Sequence, residues 1–171
     1  ADVGIGGSGS DSIDAGQDLF DVSPDIVVGD NGVVSFNEWG ERTGVRTTDP
    51  TFGGPDTITS GGGRDVLFGG SGADFVFAGL GDDLVIADNG LSSFVDDNGV
   101  AGRLTLAMST DPLIGDNDYV RGGGGDDLIF GGSWHDTIFG GGDDDVILGD
   151  HGRFDHTRPR NEQTISIHTG P

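Results

Sequence analysis

Eight aspartates stand nine residues apart in two runs of four: Asp56, Asp65, Asp74 and Asp83, then Asp118, Asp127, Asp136 and Asp145. Each member of the second run lies 62 positions after its counterpart in the first, beginning with Asp56 and Asp118. Written as nonapeptides, the first run is TFGGPDTIT, SGGGRDVLF, GGSGADFVF and AGLGDDLVI, and the second LIGDNDYVR, GGGGDDLIF, GGSWHDTIF and GGGDDDVIL. Position six is always Asp, and position eight is always aliphatic: Ile58, Leu67, Val76, Val85, Val120, Ile129, Ile138 and Ile147. A unit this short buries nothing alone and must stack on its neighbours. In a three-residue strand the middle side chain points away from the other two, so position eight faces inward. Stacking then sets a carboxylate and a glycine-rich loop at the same height on every turn, a file of hard oxygen donors suited to calcium.

Composition agrees with thin stacked cores. Gly contributes 35 of 171 residues and apolar types only 33%. The 30 acids are set against 8 Arg and no Lys, for a net charge of −22. All but three of the acids (Glu38, Glu41, Glu162) are Asp, the shorter side chain that stays close to its own backbone as a loop ligand. Without counter-ions such a chain repels itself when compact, which makes the metal part of the folding energetics. Nucleic acid is excluded as a partner because no basic stripe exists. No apolar run approaches the ~20 residues needed to span a bilayer, and Ala1 does not open a signal-peptide pattern. There is no Cys, so disulfides cannot be the staple.

Each run ends in related punctuation: Ala87-Asp88-Asn89-Gly90 and Gly149-Asp150-His151-Gly152, matched earlier by Gly29-Asp30-Asn31-Gly32. Asn-Gly between apolar stretches predicts a tight hairpin turn. A connecting strand follows each time, at Val45–Thr48, Leu104–Met108 and Thr164–Ile167. The organisation is a partial copy at 1–50, a second at 51–112 (repeats 51–86, hairpin and connector 87–112) and a third at 113–171 (repeats 113–148, hairpin and connector 149–171). The first copy carries GGSGSD at Gly6 to Asp11, and Gln17 to Asp21 break its spacing, which predicts a bulge or loop. Asp2 aligns with Asp65 and Asp127, so the first residues fall inside a repeat loop. That placement suggests a piece of a longer array or a head-to-tail or lateral assembly with further copies.

At GGSGSD (Gly6 to Asp11), GGSGAD (Gly69 to Asp74) and GGGGDD (Gly122 to Asp127) the chain resembles the RTX, or hemolysin-type, calcium-binding repeats, whose pattern is G-G-x-G-x-D-x-U-x with U a large aliphatic. The resemblance covers both runs, the first copy in part and the hairpin segments hardly at all. It implies an all-β fold, a right-handed parallel β-roll with two nonapeptides per turn, with the hairpins and connecting strands inserted between roll segments. It implies several Ca2+ ions held by position-six Asp and glycine-loop carbonyls: Asp11, Asp56, Asp65, Asp74, Asp83, Asp118, Asp127, Asp136 and Asp145. Asp56 would stack on Asp74, Asp65 on Asp83, Asp118 on Asp136 and Asp127 on Asp145. The same count adds Asp88 and Asp150. Trp134 and Asp143 stand where position four calls for Gly, and Trp134 marks the Asp136 site as the one most open to distortion.

The remaining features carry less. Asp82, Asp126 and Asp144 at position five read as solvent-facing charge. The four His form no i, i+4 pair and have no Cys beside them, which argues against zinc. Paired carboxylates could serve a glycosidase, but an active site needs asymmetry and these recur in identical surroundings. The glycine loops lack the following helix of a dinucleotide fingerprint. Position nine (Phe68, Phe77, Ile86, Phe130, Phe139, Leu148) forms an outward stripe that needs cover, most simply from the chain's own hairpins. Two roles remain. One is a non-enzymatic, extracellular, calcium-stiffened repeat protein such as an adhesin stalk, surface layer or fibre. The other is the calcium-binding secretion and folding tail of an exoenzyme or toxin.

Overall fold

Successive apolar triplets go to opposite sheets. The computed structural model describes residues 1–16, 21–97, 100–156 and 164–168, and among these there is no helix. One parallel sheet contains β1 (Val3–Ile5), β3 (Ile26–Val28), β7 (Val66–Phe68), β9 (Leu84–Ile86), β13 (Leu128–Phe130) and β15 (Val146–Leu148), in that order. A second contains β2 (Ser12–Asp14), β6 (Thr57–Thr59), β8 (Phe75–Leu80), β12 (Tyr119–Gly124) and β14 (Thr137–Gly142). Along the chain the strands alternate between the two, so each circuit lays one strand in each sheet. Register is uniform: Leu67 faces Val85, and Val85 faces Ile129 across the 112/113 boundary.

The other six strands form one antiparallel sheet: β4 (Gly32–Phe36), β5 (Arg42–Thr47), β10 (Gly90–Asp97), β11 (Val100–Ser109), β16 (His151–Asp155) and β17 (Thr164–His168). These are the hairpins of the three copies, and they pair with one another: β5 with β10, and β11 with β16. The segments read as connecting strands are the return strands of the hairpins.

Two apolar layers result. Between the parallel sheets lie Val27, Leu67, Val85 and Ile129 from one and Ile58, Val76 and Val120 from the other, all fully buried. Position eight is the inward position, as its constant aliphatic character requires; it opens to solvent toward the end of the stack, where Ile138 is half-buried and Ile147 exposed. The opposite face of the β7-containing sheet packs Val66, Phe68, Leu84, Ile86 and Phe130 against Val45, Phe94 and Ala107 of the antiparallel sheet.

The position-nine stripe is therefore split. Phe68, Ile86, Phe130 and Leu148 are covered by the hairpins, as expected. Phe77 and Phe139 belong to the other parallel sheet and stay on its open face, where Tyr119 stacks at 5.9 Å from Phe75, 6.1 Å from Phe77 and 5.8 Å from Phe139. A nine-residue period distributed over two sheets sends alternate copies of one position to opposite sides of the molecule.

The Asn-Gly hairpin assignment is corrected. The first hairpin turns at 37–41, where Asn37 Oδ1 accepts the N–H groups of Trp39 (3.0 Å) and Glu41 (2.9 Å). Asn31-Gly32, Asn89-Gly90 and His151-Gly152 instead form the corner at which the chain leaves a parallel strand for the antiparallel sheet. None of these residues has a positive φ. Glycine is required there by close approach: a Cβ on Gly90 would lie 2.8 Å from Ile86 side-chain carbons and from the Met108 carbonyl oxygen. The expected irregularity at Gln17 to Phe20 lies outside the described residues.

Candidate metal centre

The position-six aspartates form two rows. In the first, the backbone N–H of each Asp donates to Oδ1 of the Asp on the next circuit: Asp11 to Asp56 (2.7 Å), Asp56 to Asp74 (2.8 Å), Asp74 to Asp118 (2.8 Å) and Asp118 to Asp136 (3.0 Å). In the second, Asp2 donates to Asp25 (2.5 Å), Asp25 to Asp65 (2.8 Å), Asp65 to Asp83 (2.8 Å), Asp83 to Asp127 (2.9 Å) and Asp127 to Asp145 (3.1 Å). The four stackings read from the spacing are among these bonds, and the rows continue across both copy boundaries. Trp134 takes a left-handed φ of 72° and Asp143 one of 73°. The rung at Asp136 keeps its ladder bond, so the strain is absorbed at Trp134 itself.

Each carboxylate uses one oxygen in this way and leaves the other without a partner. Oδ2 of Asp11, Asp25, Asp56, Asp65, Asp74, Asp83, Asp118, Asp127 and Asp136 is buried and accepts no hydrogen bond. Buried polar atoms are almost always satisfied, and here nine of one kind lie in register. Main-chain carbonyls converge on the same points. A Cβ built on Gly69, at position one of its nonapeptide, would lie 2.5 Å from Asp74 Oδ2 and would collide with the Ala87 carbonyl oxygen of the next circuit. A Cβ on Gly131 would lie 2.6 Å from Asp136 Oδ2 and collide with the Gly149 carbonyl, and Gly29 meets Asp56 Oδ2 and the Gly69 carbonyl in the same manner. The space opened by a missing side chain is thus bounded by carboxylate and carbonyl oxygens, a donor set that fits a hard divalent cation. Among the described residues no three acidic or histidine side chains converge as a cluster; each rung offers one carboxylate oxygen, and the backbone supplies the rest.

Electrostatics mark the same atoms. Burial pushes the Asp74 and Asp83 carboxyls up to about 8 and Asp118 up to about 9, with neighbouring aspartates adding to the shift and the ladder N–H bonds opposing it. Asp56, Asp127 and Asp136 rise to about 6, again chiefly through burial. Asp25 and Asp65 are raised for the same reason.

The residue-six pattern and the geometry meet in one comparison. The RTX calcium-binding nonapeptide repeat matches the chain in four copies, at residues 51–85, 115–133 and 135–153. The chain carries RTX calcium-binding repeats. No curated protein and no solved structure matches it.

The RTX rows contain residues that the spacing did not reveal. Asp25 is a full rung, buried between Asp2 and Asp65. Its signal was present, because Asp25-Ile26-Val27-Val28-Gly29-Asp30 parallels Asp83-Leu84-Val85-Ile86-Ala87-Asp88, but the broken spacing before it hid the period. Asp30 accepts from the N–H groups of Gly54 (3.1 Å) and Ser71 (2.5 Å), and Asp88 accepts from Ser133 N–H at 2.5 Å while its Oδ1 stays buried and unpartnered. These two clasp loops of neighbouring circuits. Burial raises Asp30 to about 6 and Asp88 to about 7. Asp150 is exposed, and its charge helps to raise Asp136. Asp82, Asp126 and Asp144 are exposed, yet they form a shorter outer ladder: Asp126 N–H donates to Asp82 (3.2 Å) and Asp144 N–H to Asp126 (3.0 Å).

Proposed function

We propose that this chain is a structural segment of an extracellular, calcium-dependent repeat protein, wound as a right-handed parallel β-roll that folds and stiffens as it binds several ions. The observation that carries this reading is the two rows of buried Oδ2 atoms with no partner, each beside main-chain carbonyls. Position-six aspartates and position-one carbonyls hold the metal, and calcium, when bound, supplies the positive charge that these rows lack. The aspartate N–H bonds fix Oδ1 and so aim Oδ2 inward. The position-one glycines keep the space clear. The role is non-enzymatic, because donors repeated in identical surroundings provide no asymmetric centre. Among the described residues no helix is long and apolar enough to cross a membrane, and millimolar calcium outside the cell suits a fold with this many uncompensated carboxylates.

The antiparallel sheet shared by all three copies favours a stiff load-bearing segment, repeated or joined to further copies, over the secretion and folding tail of an exoenzyme. A catalytic domain elsewhere in the same polypeptide would reverse that preference. The direct test follows circular dichroism at neutral pH while calcium is added to chelated protein. Strand signal is expected to develop with calcium and not with equal magnesium, whose small octahedral shell suits these carbonyl-rich sites poorly. Complete order in excess chelator would overturn the reading.

A further inference from the structure

The two RTX rows differ at the one residue that borders each ion space. The residue that follows each of β3, β7, β9 and β13, position one of the next loop, makes the same backbone bond: Gly29 N–H donates to Phe68 O (2.8 Å), Gly69 N–H to Ile86 O (2.9 Å), Ala87 N–H to Phe130 O (2.9 Å) and Gly131 N–H to Leu148 O (2.8 Å). Ala87 is therefore the structural equivalent of Gly69 and Gly131, with a methyl group where they have none, and it is fully buried within the inner apolar layer. In the other row the equivalent residues, fixed by strand register, are Ala15, Ser60, Ala78, Gly122 and Gly140. A Cβ on Gly122 would meet Asp127 Oδ2 and lie 2.6 Å from the Gly140 carbonyl oxygen. At Ser60 that side chain exists, and its buried hydroxyl donates to the Ala78 carbonyl, the counterpart of the Gly140 carbonyl one rung type over. At Ser60 a neutral side chain thus reaches the carbonyl that glycine leaves clear elsewhere, and Ala78 and Ala87 carry a Cβ at the same register position.

We propose that position one decides which rungs accept calcium, so that the Asp65, Asp83 and Asp118 rungs, closed by Ser60, Ala78 and Ala87, hold no ion, while the glycine-bordered rungs at Asp56, Asp74, Asp127 and Asp136 do. This rests on the calcium reading above and sharpens it: fewer ions bind than there are position-six carboxylates. The closed rungs are held by packing and hydrogen bonds, so parts of the stack persist at lower calcium than the open ones.

The test is calcium stoichiometry of the full chain at saturation, by equilibrium dialysis with labelled calcium. Ala87→Gly and Ser60→Gly are each expected to gain about one ion per chain, whereas Gly131→Ala is expected to lose about one. Because Gly131→Ala could unfold its circuit, a second pair reads the same point with little steric change: Asp118→Asn should leave the count unaltered and Asp74→Asn should lower it by about one. Unchanged stoichiometry in both gain variants, or loss of an ion from Asp118→Asn, would overturn the proposal while leaving calcium binding intact. A wild-type chain that takes up no calcium would overturn the calcium reading itself.

Discussion

Asp74, Asp83 and Asp118 show how a single residue type couples this fold to its medium. Their folded pKa values stand near 8, 8 and 9, above the 3.8 of an unperturbed carboxyl. The metal-free folded chain therefore keeps protons that the unfolded chain has lost, and its stability falls as pH rises through the interval from about 4 to about 8 or 9. In chelator, the strand signal read by circular dichroism should be strongest at about pH 5 and fall as pH rises toward about 8. At Asp74, a glycine-bordered rung, calcium displaces the proton, so calcium affinity should rise with pH up to about 8; a chelated strand signal that does not fall with pH would contradict the assignment. Trp134 offers a second residue-scale test. It holds φ at 72° while 66% exposed, and a left-handed backbone costs a residue with a Cβ about 1–2 kcal/mol. Trp134→Gly should therefore raise the calcium-loaded melting temperature, with a gain of about 1 kcal/mol, and a loss would show that the indole is held by contacts of its own.

At the scale of the element, two phenylalanines in adjacent nonapeptides separate buried from open faces. Phe130 and Phe139 both occupy position nine, yet Phe130 is 0% exposed under the antiparallel sheet and Phe139 is 52% exposed on the opposite side. Phe130→Ala should cost about 3–5 kcal/mol in a calcium-saturated denaturant titration. Phe139→Ala should cost under about 1 kcal/mol, mostly lost stacking on Tyr119. Equal costs would place the hairpins on the wrong sheet. The difference could not be read from the sequence, because a period of nine states what repeats and not which sheet receives it. What the sequence did disclose was anything tied to that period: the Asp rows, the aliphatic position eight and the stacking of Asp56 on Asp74 or Asp127 on Asp145. Features set by contact between distant segments were not legible. Asn89-Gly90 carries the signature of a tight turn, but its glycine answers to Ile86 and Met108 packed against it, a constraint invisible locally. Asp25 escaped because the residues before it break the spacing, although its own surroundings match those of Asp83.

For the whole molecule, the second and third copies each contribute two strands to every one of the three sheets. Residues 51–112 add β6 and β8 to one parallel sheet, β7 and β9 to the other, and β10 and β11 to the antiparallel one. Deleting 69–86, a single circuit, removes β8 and β9 but leaves every hairpin strand in place. Deleting 51–112 removes two strands from each sheet and joins Pro50 to Leu113, a junction equivalent to the one between Pro112 and Leu113. The larger deletion should therefore melt at a higher temperature than the smaller one, in saturating calcium; the reverse order would show that the hairpins do not count strands against the stack.

Neighbouring strands sit about 4.7–4.9 Å apart in any sheet, parallel or antiparallel. Two ribbons that advance by the same number of strands per copy behave like meshed gears of equal pitch. No misfit accumulates as teeth are added, so a polypeptide built on this plan can lengthen by whole copies, whereas an increment that adds strands to one ribbon alone throws the two out of mesh.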